Sequence, residues 1–379
     1  MIIQDYLQSN TIASLVDVGI EYNLYPYNDK TLLQLNYNQI FGGYSPMMSE
    51  CRALILSANG ILTEKDVPGT TEIVCRSFDR FLNLGQNGAV IDFNKRITLF
   101  EKLDGSLINV YFFDGQWRTS TRSVWDGSNC LTKQGCEEVL SFRKLFEKSL
   151  PFSFEYLTSK LDPDYTYMFE LTTPVNRVVV IYEEFKTWLI GCRHTKTGKE
   201  VDVRTLDIGI SLPRIYDFNT INDIQSFLSE VKDFNFEGFV SVDEDFKRVK
   251  IKSEKYLVAH RVASNVSTDI HLAEIVLNKM DDDLQAYLSE YQKKRIDDLK
   301  AGFASYCQKS DAVFERYKHL PRKEFALSIS KEGLPTAPLF VMFTGKSKST
   351  MDYFLSSKKN GVFSRPALEC VIEQSLGGK

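Results

Sequence analysis

The strongest constraint in this 379-residue chain is a change of texture about two thirds of the way along. Up to about residue 255 the sequence runs in short β-prone stretches broken by turn residues, with a few helical patterns between them. From about Ser264 it carries apolar residues at three- and four-residue steps with few breakers, as in TDIHLAEIVLNKMDDDLQAYL (268–288). That spacing predicts helix after helix, with Thr268 or Asp269 as N-cap. A boundary is therefore expected between Tyr256 and Ser267, giving domains 1–260 and 261–379, and the length is comfortable for two cores. CEEVLSFRKLFEKSL (136–150) predicts a helical insertion within 130–160. The fold class expected is α+β: antiparallel sheets with flanking helices, then an all-helical C-terminal domain.

Two hairpins fix a register. In SLINVYFFDGQWRTSTRS (106–123), Asp114-Gly115 is a strong two-residue turn signal. Phe113 then faces Gln116, and counting back sets Leu107 opposite Arg122, at the end where Lys102 enters. In FEGFVSVDEDFKRVKIKS (236–253), a turn at Asp243–Phe246 pairs Val242 with Lys247. That count sets Glu237 opposite Lys252, Phe239 opposite Lys250 and Ser241 opposite Arg248 on one charged face. Val240 and Val249 share the other, dry face.

Composition narrows the function. A formal charge of −4 means that any nucleic-acid contact must come from a local basic face. Seven irregularly spaced cysteines without Cys-x-x-Cys, and four scattered histidines, argue against a disulfide framework or a structural zinc site. MIIQDYLQSN predicts no signal peptide, and no apolar run approaches membrane-spanning length, so a cytoplasmic protein is expected.

Lys102, in EKLDGSL (101–107), is the residue with chemistry to offer. An amine attacks phosphorus only when deprotonated, so Lys250, Lys252, Arg122 and a divalent metal are expected to lower its pKa. The same cations would hold nucleotide phosphates, Asp104 with a second carboxylate would hold metal-bound waters, and Gly105 would allow close backbone approach. Alone, Lys-x-Asp-Gly is a weak signal.

The ordered set is specific. EKLDGSL resembles motif I of the covalent nucleotidyltransferases, the superfamily of ATP-dependent ligases and mRNA capping enzymes. STRS (120–123) resembles the basic motif after the nucleophile hairpin, and YMFELTTPVNRVVVIY (167–182) resembles motif III. WLIGCR (188–193), FEGFV (236–240) and VKIKS (249–253) resemble motifs IIIa, IV and V. Within the superfamily the chain is most similar to the tRNA-repair RNA ligases of T-even phages, through ECRALIL (50–56), CRSFDRFLNL (75–84), Pro174 to Arg177 and YLVAH (256–260). The likeness is clear over about 40–260 and loose beyond.

The resemblance implies an N-terminal adenylyltransferase domain in which Lys102 becomes lysyl-AMP, passes AMP to an RNA 5′-phosphate, and a 3′-hydroxyl seals the strand. It implies catalytic roles for Lys102, Asp104, Glu170, Glu237, Lys250 and Lys252, and ATP contacts from Arg52, Arg80, Lys102, Gly105, Arg122, Glu170, Lys250 and Lys252. Metal, magnesium or manganese, would involve Asp104, Glu170, Glu237, Asp282 and Asp283. Glu170 and Glu237 also read as structural ion-pair partners, the arginines as surface residues, and Asp281–Asp283 as a helix start. The family commonly has lysine where Arg80 stands and glycine where Ser123 stands. Expected partners are ATP and RNA, in particular tRNA cut in its anticodon loop, with an end-healing kinase/phosphatase upstream. A monomer without membrane contact, in a phage-infected bacterial cell, is expected. The C-terminal helices would supply RNA specificity, with KHLPRK (318–323) and GKSKS (345–349) as phosphate contacts or solvated loops. A DNA ligase or capping enzyme would follow motif V with an oligonucleotide-binding barrel, whereas this sequence turns helical. These enzymes, and a catalytically idle RNA-binding relative, are the alternatives.

Overall fold

The computed structural model describes residues 1–38, 44–130, 140–231, 234–263, 268–278, 288, 290–359 and 362–376. The chain divides into two compact units, Met1–Ser253 and Glu254–Lys379. Asp282 and Asp283 lie outside the described residues, as does Cys136.

The first unit opens with an antiparallel sheet of β1 (Ile20–Tyr27), β2 (Lys30–Tyr37), β3 (Arg52–Asn59) and β4 (Thr71–Cys75), in that order. Strand β2 is buried on both faces. Leu33 and Leu35 pack with Leu54, Leu56 and the N-terminal helix Ile2–Leu7, while Leu32 packs with Ile55, Val74 and Tyr111. Polar groups in such a strand need partners. Gln34 Nε2 donates to the carbonyls of Thr121 (2.9 Å) and Arg122 (3.0 Å), and Asn36 Nδ2 donates to Arg122 O (2.7 Å). The first sheet therefore holds the segment that follows the nucleophile hairpin.

The chain continues through β5 (Leu82–Asn83), β6 (Ile97–Lys102), β7 (Ser106–Phe113), β8 (Gln116–Ser120), β9 (Tyr165–Thr172) and β10 (Lys186–His194). It closes the unit with β11 (Glu200–Val201), β12 (Ile215–Tyr216), β13 (Gly238–Asp243) and β14 (Arg248–Lys252). One sheet has the order β11-β10-β9-β7-β8 and the other β12-β6-β13-β14-β5, in which only β14–β5 is parallel. Lys102 ends a strand of one sheet and Ser106 begins a strand of the other, so the Lys-x-Asp-Gly turn is the crossing point between them.

The Asp114-Gly115 turn forms as read, both residues at positive φ (51° and 72°), and Phe113 faces Gln116. The ladder stops at Asn109–Ser120, however. Arg122 leaves the strand before reaching Leu107, which pairs on its other side with Glu170. The second hairpin differs by one residue. Val242 pairs with Arg248 rather than Lys247, and Gly238, Phe239, Val240 and Ser241 face Lys252, Ile251, Lys250 and Val249. The turn holds an extra residue: Phe246 sits at φ 61°, and Asp243 N donates to Lys247 O at 3.1 Å. A one-residue slip exchanges the faces. Phe239, Val249 and Ile251 are core, while Val240 and Val242 join Arg248 and Lys250 on the other side.

Within 130–160 the described residues form helices Phe142–Lys148 and Phe154–Thr158, capped by Ser141 and Ser153. Helix Glu254–Ala263 begins directly after Ser253. A helix starts at Asp269, whose carboxylate is bidentate to Arg295 of helix Glu290–Tyr317 at 2.9 and 2.8 Å. The long helix packs Phe303, Tyr306 and Cys307 against Phe354, Leu368 and Val371. Among the described residues no helix is long and apolar enough to cross a membrane.

Candidate active site

Lys102 is the last residue of β6 and stands across from Gly238 of β13, which in turn stands across from Lys252 of β14. Gly238 sits at φ 141°, and a Cβ there would collide with the carbonyl of Ile251. The absent side chain lets the Glu237 carboxylate serve both flanking lysines. Glu237 Oε2 accepts from Lys102 Nζ at 2.9 Å, and Oε1 pairs with Lys252 Nζ at 2.8 Å. Glu237 is only 3% exposed, so the two cations offset the cost of burying its charge.

Glu170, on β9, approaches the turn from the other sheet, its Oε1 accepting from Gly105 N at 3.1 Å. A Cβ on Gly105 would run into the Leu171 carbonyl and the Glu170 side chain, so this contact needs glycine. Burial pushes Glu170 up to about 7, Glu237 adding to the effect while Lys102 and Arg52 oppose it.

The amine in the low range is not Lys102. Burial disfavours the Lys102 ammonium, but Glu237, Glu170 and Asp104 outweigh that and raise its pKa. Lys250 is the depressed one, brought to about 7 by burial and by Arg52, Lys102 and Lys252. The expectation that neighbouring cations would free the Lys102 amine is therefore reversed in the free protein, because the carboxylates stand closest to it.

Asp104 turns away from the cavity. It is 5% exposed, and its Oδ2 accepts from the backbone amides of Val179 and Val180, both at 2.7 Å. Its own amide donates to Tyr182 Oη at 3.0 Å, and Asn176 Nδ2 donates to Ser106 Oγ at 3.0 Å. Asp104 anchors the 173–182 loop to the nucleophile turn; it does not line the cavity as a metal ligand would.

A cavity of about 520 Å³ opens beside Lys102, lined by Arg52, Gly105, Arg122, Glu170 and Lys250 among others. Its size suits a small molecule such as a nucleotide. Arg52 immediately precedes a β-bulge where Ala53 adopts φ 53° and donates its amide to Asn36 Oδ1. Arg52 Nη1 is buried without a hydrogen-bond partner, an orphaned donor that an anionic ligand would satisfy. Arg122 donates to Tyr37 O at 3.1 Å and lies 4.8 Å from the Tyr37 ring centre. Ser123 lines the same cavity, its carbonyl accepting from Asn23 Nδ2 and Tyr25 Oη.

Lys102, Gly105, Glu170, Arg52, Arg122 and Lys250 are thus brought to one cavity, and Glu237 and Lys252 are bonded to its edge. Arg80 is not part of that lining. It stacks 4.5 Å from the Tyr37 ring centre and lines a neighbouring cavity. Three wall residues were not among the expected site residues. Arg248 lies 4.2 Å from the Phe78 ring centre and pairs with Glu200 at 2.6 Å. Phe81 lies 4.9 Å from Lys250 Nζ, and Ile190 is the extra residue of a bulge between β9 and β10. The sequence sets Arg248 on the charged face but gives it no role at the site, while a bulge leaves no periodic signal. Among the described residues no three His, Cys, Asp or Glu side chains cluster to hold a metal ion.

Comparison with known proteins gives the family of the chain. The chain is 32% identical over 279 residues to a protein of Autographa californica nuclear polyhedrosis virus described as a bifunctional polynucleotide kinase/RNA ligase, covering 69% of this chain and 38% of that protein. It is 32% identical over 231 residues to an RNA ligase of Rhodothermus phage RM378, covering 50% of this chain and 52% of that one. The chain thus spans about half or less of the length of these relatives. An archaeal ATP-dependent RNA ligase structure aligns over 77% of this chain and 78% of its own, with 13% identity and a TM-score of 0.47. A family model described as RNA ligase matches residues 50–256, more than half of the chain, and the chain belongs to that RNA ligase family.

Proposed function

We propose that the chain is an ATP-dependent RNA ligase that uses Lys102 as its nucleophile. The observation that carries the reading is Lys102 Nζ held by Glu237 at the edge of a cavity that also receives Glu170, Lys250 and the unpartnered Nη1 of Arg52. Family membership supports it.

In the first step the ammonium passes a proton to a neighbouring carboxylate, with Glu237 in direct contact. Lys102 Nζ then bonds to the α-phosphorus of ATP as the bond to pyrophosphate breaks. Lys250, Lys252 and Arg52 stabilise the charge that builds on the phosphates. The AMP next moves to the 5′-phosphate of an RNA end, freeing Lys102, and a 3′-hydroxyl displaces AMP to form the phosphodiester.

The donor set suits a magnesium or manganese ion, which is commonly held by one or two carboxylates plus waters and substrate phosphates. Glu170 and Glu237 are the residues that would hold it. Such an ion supplies positive charge that offsets the carboxylates' hold on the Lys102 ammonium and the charge on the triphosphate. Asp282 and Asp283 are not assigned a role. The natural substrate proposed is tRNA cut in its anticodon loop, with ends healed by a kinase/phosphatase, and the helical unit would supply RNA specificity.

Mass spectrometry after incubation with ATP and magnesium tests the reading. The expected result is an AMP adduct on Lys102 that is absent from Lys102→Ala. An adduct on another residue, or one formed from GTP alone, would overturn it. Circularisation of a 5′-phosphorylated single-stranded RNA tests the sealing steps.

A further inference from the structure

A second cavity, of about 750 Å³, shares Phe81 and Arg248 with the first and is lined also by Arg80 and Tyr44. Its charges do not cancel. Asp79 is clamped by Arg193 through two hydrogen bonds of 2.9 and 3.1 Å, Glu200 is paired with Arg248, and Asp245 is paired with Lys95. Among the acidic lining residues this leaves Glu244 outside the ion pairs. Against it stand Arg80 and two exposed lysines, Lys199 and Lys247; the two lysines carry no ion pair among the described residues. The cavity therefore has surplus positive charge beside aromatic surface: Tyr44 is 46% exposed, and Phe81 lines the shared wall. Cations beside exposed rings are what a single nucleic-acid strand needs, for phosphates and for base stacking.

We infer that this second cavity binds the 5′-phosphorylated end of the RNA, which rests on the ligase reading above. Two ends must reach Lys102, and the cavity's charge separates them. A 5′-phosphate end brings a terminal phosphate in addition to its linkages, and a 3′-hydroxyl end brings none. The shared wall at Phe81 and Arg248 sets this end beside the nucleotide cavity, where lysyl-AMP is to be attacked by its phosphate oxygen. Lys199 and Lys247 act as phosphate contacts, and Tyr44 as the stacking surface.

The test uses the full chain with Lys199→Glu and Lys247→Glu combined, and with the milder Lys199→Gln and Lys247→Gln pair as a folding control. Fluorescence anisotropy reads the affinity for a short single-stranded RNA bearing either a 5′-phosphate or a 5′-hydroxyl. Wild type is expected to prefer the phosphorylated RNA. The charge-reversed variant should bind it about tenfold more weakly, lose the preference and show a shallower salt dependence. Lysyl-AMP formation, which draws on the first cavity, should stay within about twofold in both variants. Unchanged preference for the 5′-phosphate, or parallel loss of lysyl-AMP formation and RNA binding, overturns the assignment. Failure of the wild-type protein to form lysyl-AMP would instead overturn the ligase reading, so the two failures are distinguishable.

Discussion

Glu237 joins Lys102 to Lys252, one carboxylate oxygen accepting at 2.9 Å and the other at 2.8 Å. Removing its charge should therefore act on both lysines at once. Glu237→Gln is expected to lower the Lys102 pKa by deleting its nearest carboxylate, so the acid limb of lysyl-AMP formation moves to lower pH. The maximal rate should still fall by about 10²–10³, because the proton acceptor and a proposed metal-holding group are lost together. Single-turnover adenylylation against pH checks both parts. An unmoved acid limb would show that Glu237 does not control the amine.

Lys250 and Glu170 give opposite pH signatures in stability. Lys250 lies near 7 in the folded protein and at 10.5 when unperturbed, so the unfolded chain holds more protons between these values. Its penalty is full below pH 7 and is relieved as pH rises toward 10.5. Glu170 lies near 7 against 4.5, so its penalty is absent below 4.5, grows through that window and is full above 7. Lys250→Met should stabilise by about 1–3 kcal/mol below pH 7, and Glu170→Gln by a similar amount above it. Denaturant unfolding across pH 5 to 9 checks the crossover.

The same Lys250 value predicts proton uptake on nucleotide binding. About one pH unit above 7 the free amine is largely neutral, and a phosphate beside it favours the charged form. ATP binding should therefore take up a proton there, and Lys250→Met should abolish that uptake. Calorimetry in buffers of differing ionisation enthalpy reads it. Proton release by the wild-type protein would contradict the placement of phosphate against Lys250.

Much of this arrangement was legible in the chain, and the exceptions share a cause. Asp114-Gly115 announced its turn because both residues tolerate the positive φ they adopt. The second turn was misread because bulky Phe246 takes such a conformation, and the one-residue slip moved Phe239 into the core and Val240 and Val242 to the cavity side beside Arg248 and Lys250. Gln34 and Asn36 alternate with leucines along β2, yet both are buried and hold the Arg122 segment, which no local pattern announces. Asp104 was read for its charge, whereas its partners are amides some seventy-five residues away. Contacts of that range have no local signal.

Asp104→Ala should detach the 173–182 loop from the nucleophile turn. Two buried amides, those of Val179 and Val180, lose their acceptor, which predicts a loss of about 2–4 kcal/mol. Asp104→Asn keeps one carbonyl oxygen and should recover part of both stability and adenylylation. A ligand role for the carboxylate would give a different pattern: Asn as inactive as Ala, and stability unchanged in both. Thermal unfolding paired with adenylylation assays separates the two.

Gly238→Ala tests the spacing that brings the three strands together. The new methyl would press into the Ile251 carbonyl of β14, and the φ of 141° is one that alanine rarely adopts. Relief requires β14 to move away from β13, and that movement carries Lys252 and Lys250 out of register with Lys102. The expected result is destabilisation by about 2–4 kcal/mol and loss of lysyl-AMP formation by more than about 10²-fold, with Lys102 itself untouched. Adenylylation measured well below the variant's melting temperature checks that the loss is geometric. Near-normal activity there would mean that the lysines need not be held in register across Gly238.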